Sequence, residues 1–321
     1  MGTTSRVSAA LPASPAIGRE ATRGASQAAL WLRALRLQQW VKNLLIFLPL
    51  LLAHRIGEWD LLFRSLLAFF AFGFAASAGY IVNDLLDLEA DRAHPRKRHR
   101  PFASGELSSA AGLVVAPLLL AAGMTLALFL PGGALAALGA YLLLTTTYSL
   151  LLKQVALLDM LALAALYTLR IFAGSLATGV PVSEWLLAFS IFVFLSLAAV
   201  KRYSEVLRLR RESDVVARVA GRGYYPGDLE LIRPLGLSSG MIAVLVLALY
   251  INSATVTRLY SRPALLWLIG PLLWFWISRV WLLAHRGEMK EDPVFFAVRD
   301  PVTWGVAAAA GLAILLAASV A

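Results

Sequence analysis

Asn83, Asp87 and Asp91 stand four residues apart directly after an apolar run. On a helix that spacing lines their oxygens along one stripe, with a drift of about 40° per step. Hard oxygens in a row suit Mg²⁺, which keeps several waters and shares its shell with substrate phosphates. Lys97, Arg98 and Arg100 follow in the same stretch, and cations so placed can hold phosphate oxygens. The segment from Asn83 to Pro101 therefore reads as a metal and diphosphate site. Its bland alternative is a solvated connector, whose surface ion pairs are worth under about 1 kcal/mol each. Charge this dense at the end of an apolar span favours the site, because such groups mark ligand or ion pathways.

Other polar residues interrupt apolar sequence and need a reason. Lys42, in Gln38-Gln39-Trp40-Val41-Lys42-Asn43, is either an interfacial anchor or a phosphate ligand. Tyr80, one turn before Asn83, would share its stripe and offer a hydroxyl, or pack as an aromatic. Tyr148 and Lys153 close an apolar run, where Lys153 can snorkel to the surface. Arg170 lies mid-span, where an unpaired cation costs roughly 2.5 to 3.5 kcal/mol, so it must face protein or an aqueous cavity. Its partner is either Asp159, eleven residues and about three turns away, or a bound anion. Arg279 raises the same question. Lys201-Arg202-Tyr203-Ser204-Glu205 is cationic, and on a helix Glu205 would neighbour Lys201 and be held ionised; it could equally be the basic end of a span.

Membrane helices must position these groups. The chain of 321 residues is 60% hydrophobic and 15% charged, with mean hydropathy +0.73, values foreign to a soluble domain. Nine apolar runs are long enough for a hydrocarbon layer of about 30 Å: 37 to 55, 63 to 82, 110 to 130, 134 to 152, 156 to 178, 184 to 200, 234 to 257, 264 to 284 and 302 to 320. With the N-terminus placed in the cytoplasm, most of the 29 Lys and Arg fall on that face, as the positive-inside bias requires. The net charge of +10 is then topology and attraction to anionic lipid, and no nucleic-acid partner is expected. Residues 1–28, rich in Ala, Ser, Gly, Pro and Arg, read as a disordered tail without a signal-peptide core, and 29–321 as one all-α catalytic unit. Without cysteine, disulfides, thiolate metal sites and a catalytic thiol are excluded. Charged loops after the second and sixth runs hint at a weak pairing of two halves.

Taken together, the spaced Asn83, Asp87 and Asp91 after a second apolar helix resemble the first aspartate-rich motif of the UbiA superfamily of intramembrane prenyltransferases. Within it the chain is most similar to the decaprenyl-phosphate phosphoribosyltransferases. That similarity is carried by Gln39 to Asn43, the Asn83 to Pro101 loop, Arg170 before Ala173-Gly174, Lys201 to Glu205, and Asp292 to Asp300. The resemblance implies nine transmembrane helices around a central cavity, in a bacterial inner membrane with the site facing the cytoplasm, and possible assembly into a homo-oligomer. It implies Mg²⁺ on Asn83, Asp87 and Asp91, with Asp87, Asp91 and Lys97 at the chemistry. Phosphoribosyl pyrophosphate would meet Lys42, Tyr80, Lys97, Arg100, Lys201, Arg202 and Glu205, and the phosphate of a polyprenyl acceptor Lys153 and Arg170. Ordinary prenyltransferases carry a second aspartate pair after the sixth span, where this chain has Lys201, Arg202, Tyr203 and Glu205. More cations and fewer carboxylates fit more phosphate and less metal. A prenyltransferase acting on an aromatic ring is the first rival, and a transporter of an anionic metabolite or lipid the second. The Glu288 to Asp300 loop is either a cover for the site or a connector.

Overall fold

The structure is a computed structural model that describes residues 26–94, 97–212, 221–289 and 291–318. Most of the expected 1–28 tail, and Pro95 and Arg96 of the charged stretch, lie outside the described residues. All regular structure among the described residues is helical. Eight helices are long and apolar enough to cross a membrane: α3 Trp59–Leu86, α5 Ser109–Leu128, α6 Gly132–Leu150, α7 Leu158–Thr178, α8 Glu184–Glu212, α9 Leu229–Ile251, α11 Ile269–Arg286 and α13 Pro301–Ala318. Short helices join them: α1 Gln27–Leu35, α2 Leu48–Leu52, α4 Leu88–Ala93, α10 Ala254–Leu259 and α12 Pro293–Arg299.

The first of the nine expected spans differs in kind. Residues Leu37–Phe47 wind as an eleven-residue 3₁₀ helix that runs into the five residues of α2. A 3₁₀ helix rises about 2.0 Å per residue and an α-helix 1.5 Å, so this opening segment still reaches roughly 30 Å, a hydrocarbon thickness. Close neighbours explain the tight winding. The segment packs against α3 and α7, and both present glycine to it. A Cβ on Gly73 would stand 2.8 Å from the Trp40 ring, and one on Gly174 would stand 2.0 Å from the Ile46 carbonyl oxygen.

α3 and α7 are the innermost helices, with more than half of each span buried, against 11% for α13. On α3, Ser65, Ala68, Ala71, Ala75, Ala76, Ser77 and Ala78 are buried; small side chains let helices approach where lipid supplies no hydrophobic drive. α8 lies along α7 and α9, and α12 packs on the opening segment and α8. Two helices outrun their apolar stretches. α3 continues past 82 and carries Asn83 in its last turn, while α8 continues past 200, so Lys201, Arg202 and Glu205 sit on a helix rather than in a loop.

Candidate functional site

α3 stops at Leu86, and Asp87 both caps it and begins α4. The helical bonds Asp87 N–H to Asn83 carbonyl (3.0 Å) and Asp91 N–H to Asp87 carbonyl (2.8 Å) cross this joint, so the expected stripe survives with a break at its centre. The carboxylates then divide. Asp84 is buried and bonded by Arg36 (2.5 Å) and Arg100 (3.0 Å), and Arg100 also bonds Asp91 Oδ2 (2.6 Å). Asp87, half-buried, makes no ion pair or side-chain hydrogen bond among the described residues. Asn83 donates its amide to Ser149 (3.3 Å), which leaves its carbonyl oxygen as a ligand. Asp91 Oδ1 is buried without a hydrogen bond, 3.7 Å from the Lys97 ammonium. No three His, Asp or Glu side chains cluster as a metal site among the described residues; the orphaned Asp91 Oδ1, the Asp87 carboxylate and the Asn83 carbonyl oxygen are the hard oxygens at this end of the helix that suit a hard cation.

A second centre joins distant parts of the chain. Lys42 of the opening segment and Lys201 of α8 both donate to Asp292 Oδ2, at 3.0 and 2.9 Å. Tyr167 donates to Asp292 Oδ1 at 3.4 Å, and the Lys42 ammonium lies 5.5 Å from the Tyr167 ring centre. Asp292 also caps α12 by accepting from the Val294 N–H (3.1 Å). Burial opposes ionisation of Asp292, but Lys201 and Lys42 prevail and hold its carboxyl well below the usual carboxylate range. Beside it, Lys201, Ser204, Glu205, Arg208, Met289 and Asp292 line a cavity of about 110 Å³. Met289, Glu291 and Asp292 of the 288–300 segment thus lie at this centre.

Arg170 is buried and meets neutral partners: Asn43 (2.9 Å), the Leu166 carbonyl (2.6 Å) and the Tyr141 hydroxyl (3.3 Å), with the Tyr141 ring centre 4.7 Å away. It forms no ion pair among the described residues; Asp159 lies about three turns away on α7 and pairs with Arg202. Arg202, expected among the donor ligands, is fully buried between Asp159 and Glu205, with Tyr148 accepting from it at 2.8 Å. Its guanidinium is spent on protein, which makes it part of the wall. Tyr148 also accepts from Arg222 (2.8 Å), and Tyr224 ties Asp159 to the Leu157 N–H. Arg279 forms two bonds to Asp300, 2.7 and 2.9 Å, which answers the question it raised.

Asn83, Asp87, Asp91, Lys97 and Arg100 are thus brought to one end of α3, where Tyr80 lies under Arg36, 4.9 Å from ring centre to guanidinium. Lys42 and Lys201 meet at Asp292. Lys153 lies in the short turn Leu152–Gln154 after α6 and is not joined to Arg170 by any contact among the described residues. Sequence reasoning missed Asp292 as their partner, along with Arg36, Tyr141 and Tyr167. For Arg36 the available signal was its place in a basic run, and for Tyr167 its place three residues before Arg170 on α7; Tyr141, on α6, gave none.

A family model described as the UbiA prenyltransferase family matches residues 44–299. The protein y4nM of Sinorhizobium fredii is 41% identical over 289 residues, covering 89% of this chain and 55% of its own length. The nodulation protein NoeC of Azorhizobium caulinodans is 38% identical over 83% of this chain and 86% of its own. The decaprenyl-phosphate phosphoribosyltransferase of Mycolicibacterium smegmatis is 33% identical over 84% and 86%. Among solved structures, a UbiA homolog from Archaeoglobus fulgidus bound to GPP and Mg²⁺ superposes with a TM-score of 0.63 at 17% identity, over 90% of this chain and 98% of that one. At that identity the likeness is one of fold.

Proposed function

This chain belongs to the UbiA prenyltransferase family, and on that footing we propose that it moves a 5-phosphoribosyl group from phosphoribosyl pyrophosphate to a polyprenyl phosphate, with Mg²⁺. The observation that carries this reading is the cation-rich second centre. Where a prenyltransferase of the ordinary kind would place a carboxylate pair, Lys201 of α8 converges with Lys42, and Arg202 holds the neighbouring carboxylates. Relatives named decaprenyl-phosphate phosphoribosyltransferase support the same substrate class.

In this reading an acceptor phosphate oxygen attacks C1 of the ribose, the bond from C1 to the diphosphate breaks, and pyrophosphate leaves with the electron pair. The nucleophile is already an anion, so no strong base is needed. Direct displacement inverts C1. Asn83, Asp87 and Asp91 would hold Mg²⁺, which supplies charge neutralisation for the departing diphosphate. Lys97 and Arg100 lie at that end of α3 to meet diphosphate oxygens, and Lys42 and Lys201 would receive a further phosphate of the donor. Arg170, buried with neutral partners among the described residues, would keep a net positive charge in the interior for the acceptor phosphate. Tyr80 and Glu205 offer a hydroxyl and a carboxylate to the ribose. Alignment of two bound reactants, rather than acid–base chemistry, is the main source of rate. We place this site on the cytoplasmic face of a bacterial inner membrane, where the basic ends of α3 and α8 gather.

The test is incubation of purified protein with labelled phosphoribosyl pyrophosphate and polyprenyl phosphate, with Mg²⁺ or with chelator. Mg²⁺-dependent label in the lipid phase supports the reading. Unlabelled lipid over several chain lengths, with transfer seen from a prenyl diphosphate to an aromatic acceptor, replaces it.

A further inference from the structure

Two ammonium groups from elements 159 residues apart in sequence point at one carboxylate oxygen, and that carboxylate belongs to neither element. Lys42 and Lys201 share Asp292 Oδ2, and Tyr167 offers its hydroxyl to the other oxygen. Two ammoniums and a phenol around a buried anion are the donor set that would receive a phosphate. We propose that these three side chains form a phosphate-receiving subsite and that Asp292, carried on α12, is its built-in occupant, which an incoming phosphate must displace. This deepens the reading of the site as one for phosphorylated substrates and rests on it.

Three observations carry the inference. Asp292 itself forms part of the wall of the cavity beside it and occupies the point where the Lys42 and Lys201 ammoniums converge, so a phosphate that reaches both must take the place its carboxylate holds. Asp292 supplies the charged hold at the start of the cover: α12 touches the opening segment and α8, Val294 and Phe296 pack on the core, and the bonds from Lys42 and Lys201 are its charged link to both. Finally, a carboxylate held by two cations excludes weak competitors. A neutral ligand gains nothing from the ammoniums and a single carboxylate merely exchanges like for like, whereas a phosphate or diphosphate brings more charge and more acceptor oxygens to the same donors. Asp292 therefore acts as a filter for polyanions and as a gate closed in their absence.

Inorganic pyrophosphate is the probe, titrated calorimetrically into the full-length protein in detergent. Asp292→Asn should bind it about tenfold more tightly, since the competent state no longer has to be released from a competing charge. Glu288→Gln, which removes an equal charge from the same segment outside the subsite, should stay within about twofold. Unchanged or weaker binding by Asp292→Asn overturns the proposal, as does failure of both proteins to bind pyrophosphate. Wild-type protein gives a second measurement that needs no variant to fold: trypsin cleavage after the exposed Arg299 should accelerate when pyrophosphate is added. Slower or unaltered cleavage also overturns it. Neither readout depends on which group is transferred, so loss of the phosphoribosyl reading in the lipid-label assay would be seen separately.

Discussion

Gly174→Ala is a one-carbon change that should disable the site from within the membrane. The added Cβ would lie 2.0 Å from the Ile46 carbonyl oxygen, 2.8 Å from its carbonyl carbon and 3.0 Å from its Cα. All three are backbone, so no rotamer change relieves the clash. Restoring an ordinary contact of about 3.4 Å requires α7 and the opening segment to part by roughly 1.4 Å. Asn43 and Lys42 sit within about one turn of Ile46. Shifted by that amount, the 2.9 Å bond from Arg170 to Asn43 and the 3.0 Å bond from Lys42 to Asp292 both leave hydrogen-bonding range. Overpacking costs about 1 to 3 kcal/mol, and a buried polar group left unpaired about 1 to 3 more, so destabilisation of roughly 2 to 6 kcal/mol is expected. Displacement of about 1 Å at a reacting site lowers rate about 10²-fold. The assays are lipid-label transfer and thermal unfolding in detergent, with Gly139→Ala as control because its Cβ would meet open space. A Gly174→Ala protein that melts like wild type and keeps activity within threefold would refute the close approach and its role.

Asp87→Asn should abolish Mg²⁺-dependent transfer without lowering the unfolding temperature, since Asp87 has no ion pair to lose among the described residues; undiminished Mg²⁺-dependent transfer would remove it from the site. Arg202→Ala should destabilise by about 3 to 5 kcal/mol, because Asp159 is left as a buried charge without its cation and the half-buried Glu205 loses its closest partner. Adding Asp159→Asn should recover part of that loss, and a single variant within 1 kcal/mol of wild type would contradict the burial reading. For Asp292 the folded pKa lies below the unfolded value of roughly 3.9. Its contribution is therefore complete above that value and lost only as pH falls through the folded one. The stability difference between wild type and Asp292→Asn should stay constant from pH 8 to 5. A difference that shrinks across that window would show that Lys42, Lys201 and Tyr167 do not hold the carboxylate ionised.

Local spacing and hydropathy made much of this legible. The Asn83 to Pro101 stretch, the lone Arg170 and the basic run from Lys201 each stand out because charge is conspicuous in apolar sequence. Their orientation was not legible. Arg202 and Lys201 are adjacent and equally basic, yet one is walled in by Asp159 and the other turns to Asp292. Helical phase decides between them, and the apolar run gave no phase because α8 outlasts it. Arg100 stands out as a cation, but its bridge between Asp84 and Asp91 was not legible from local spacing. The opening segment passed for a regular span because hydropathy counts residues rather than rise. Its 3₁₀ winding comes from contacts with Gly73 and Gly174, residues remote in sequence. Asp292 could be noticed, but its partners lie 250 and 91 residues away, and local pattern does not reach that far.

That separation has a consequence for how the molecule is made. At ribosomal rates of about 5 to 20 residues per second, Lys42 emerges roughly 10 to 50 s before Asp292. During that interval most of the helices that cross the membrane have already been synthesised, while the contact between its early and late portions is still absent. The nascent bundle must therefore tolerate Lys42 and Lys201 without their carboxylate, in a bilayer rich in anionic headgroups that can serve them in the meantime. The bonds that join Asp292 to Lys42 and Lys201 are thus formed late in biogenesis, and a chain arrested before α12 and its Asp292 cap would hold both ammoniums without their carboxylate.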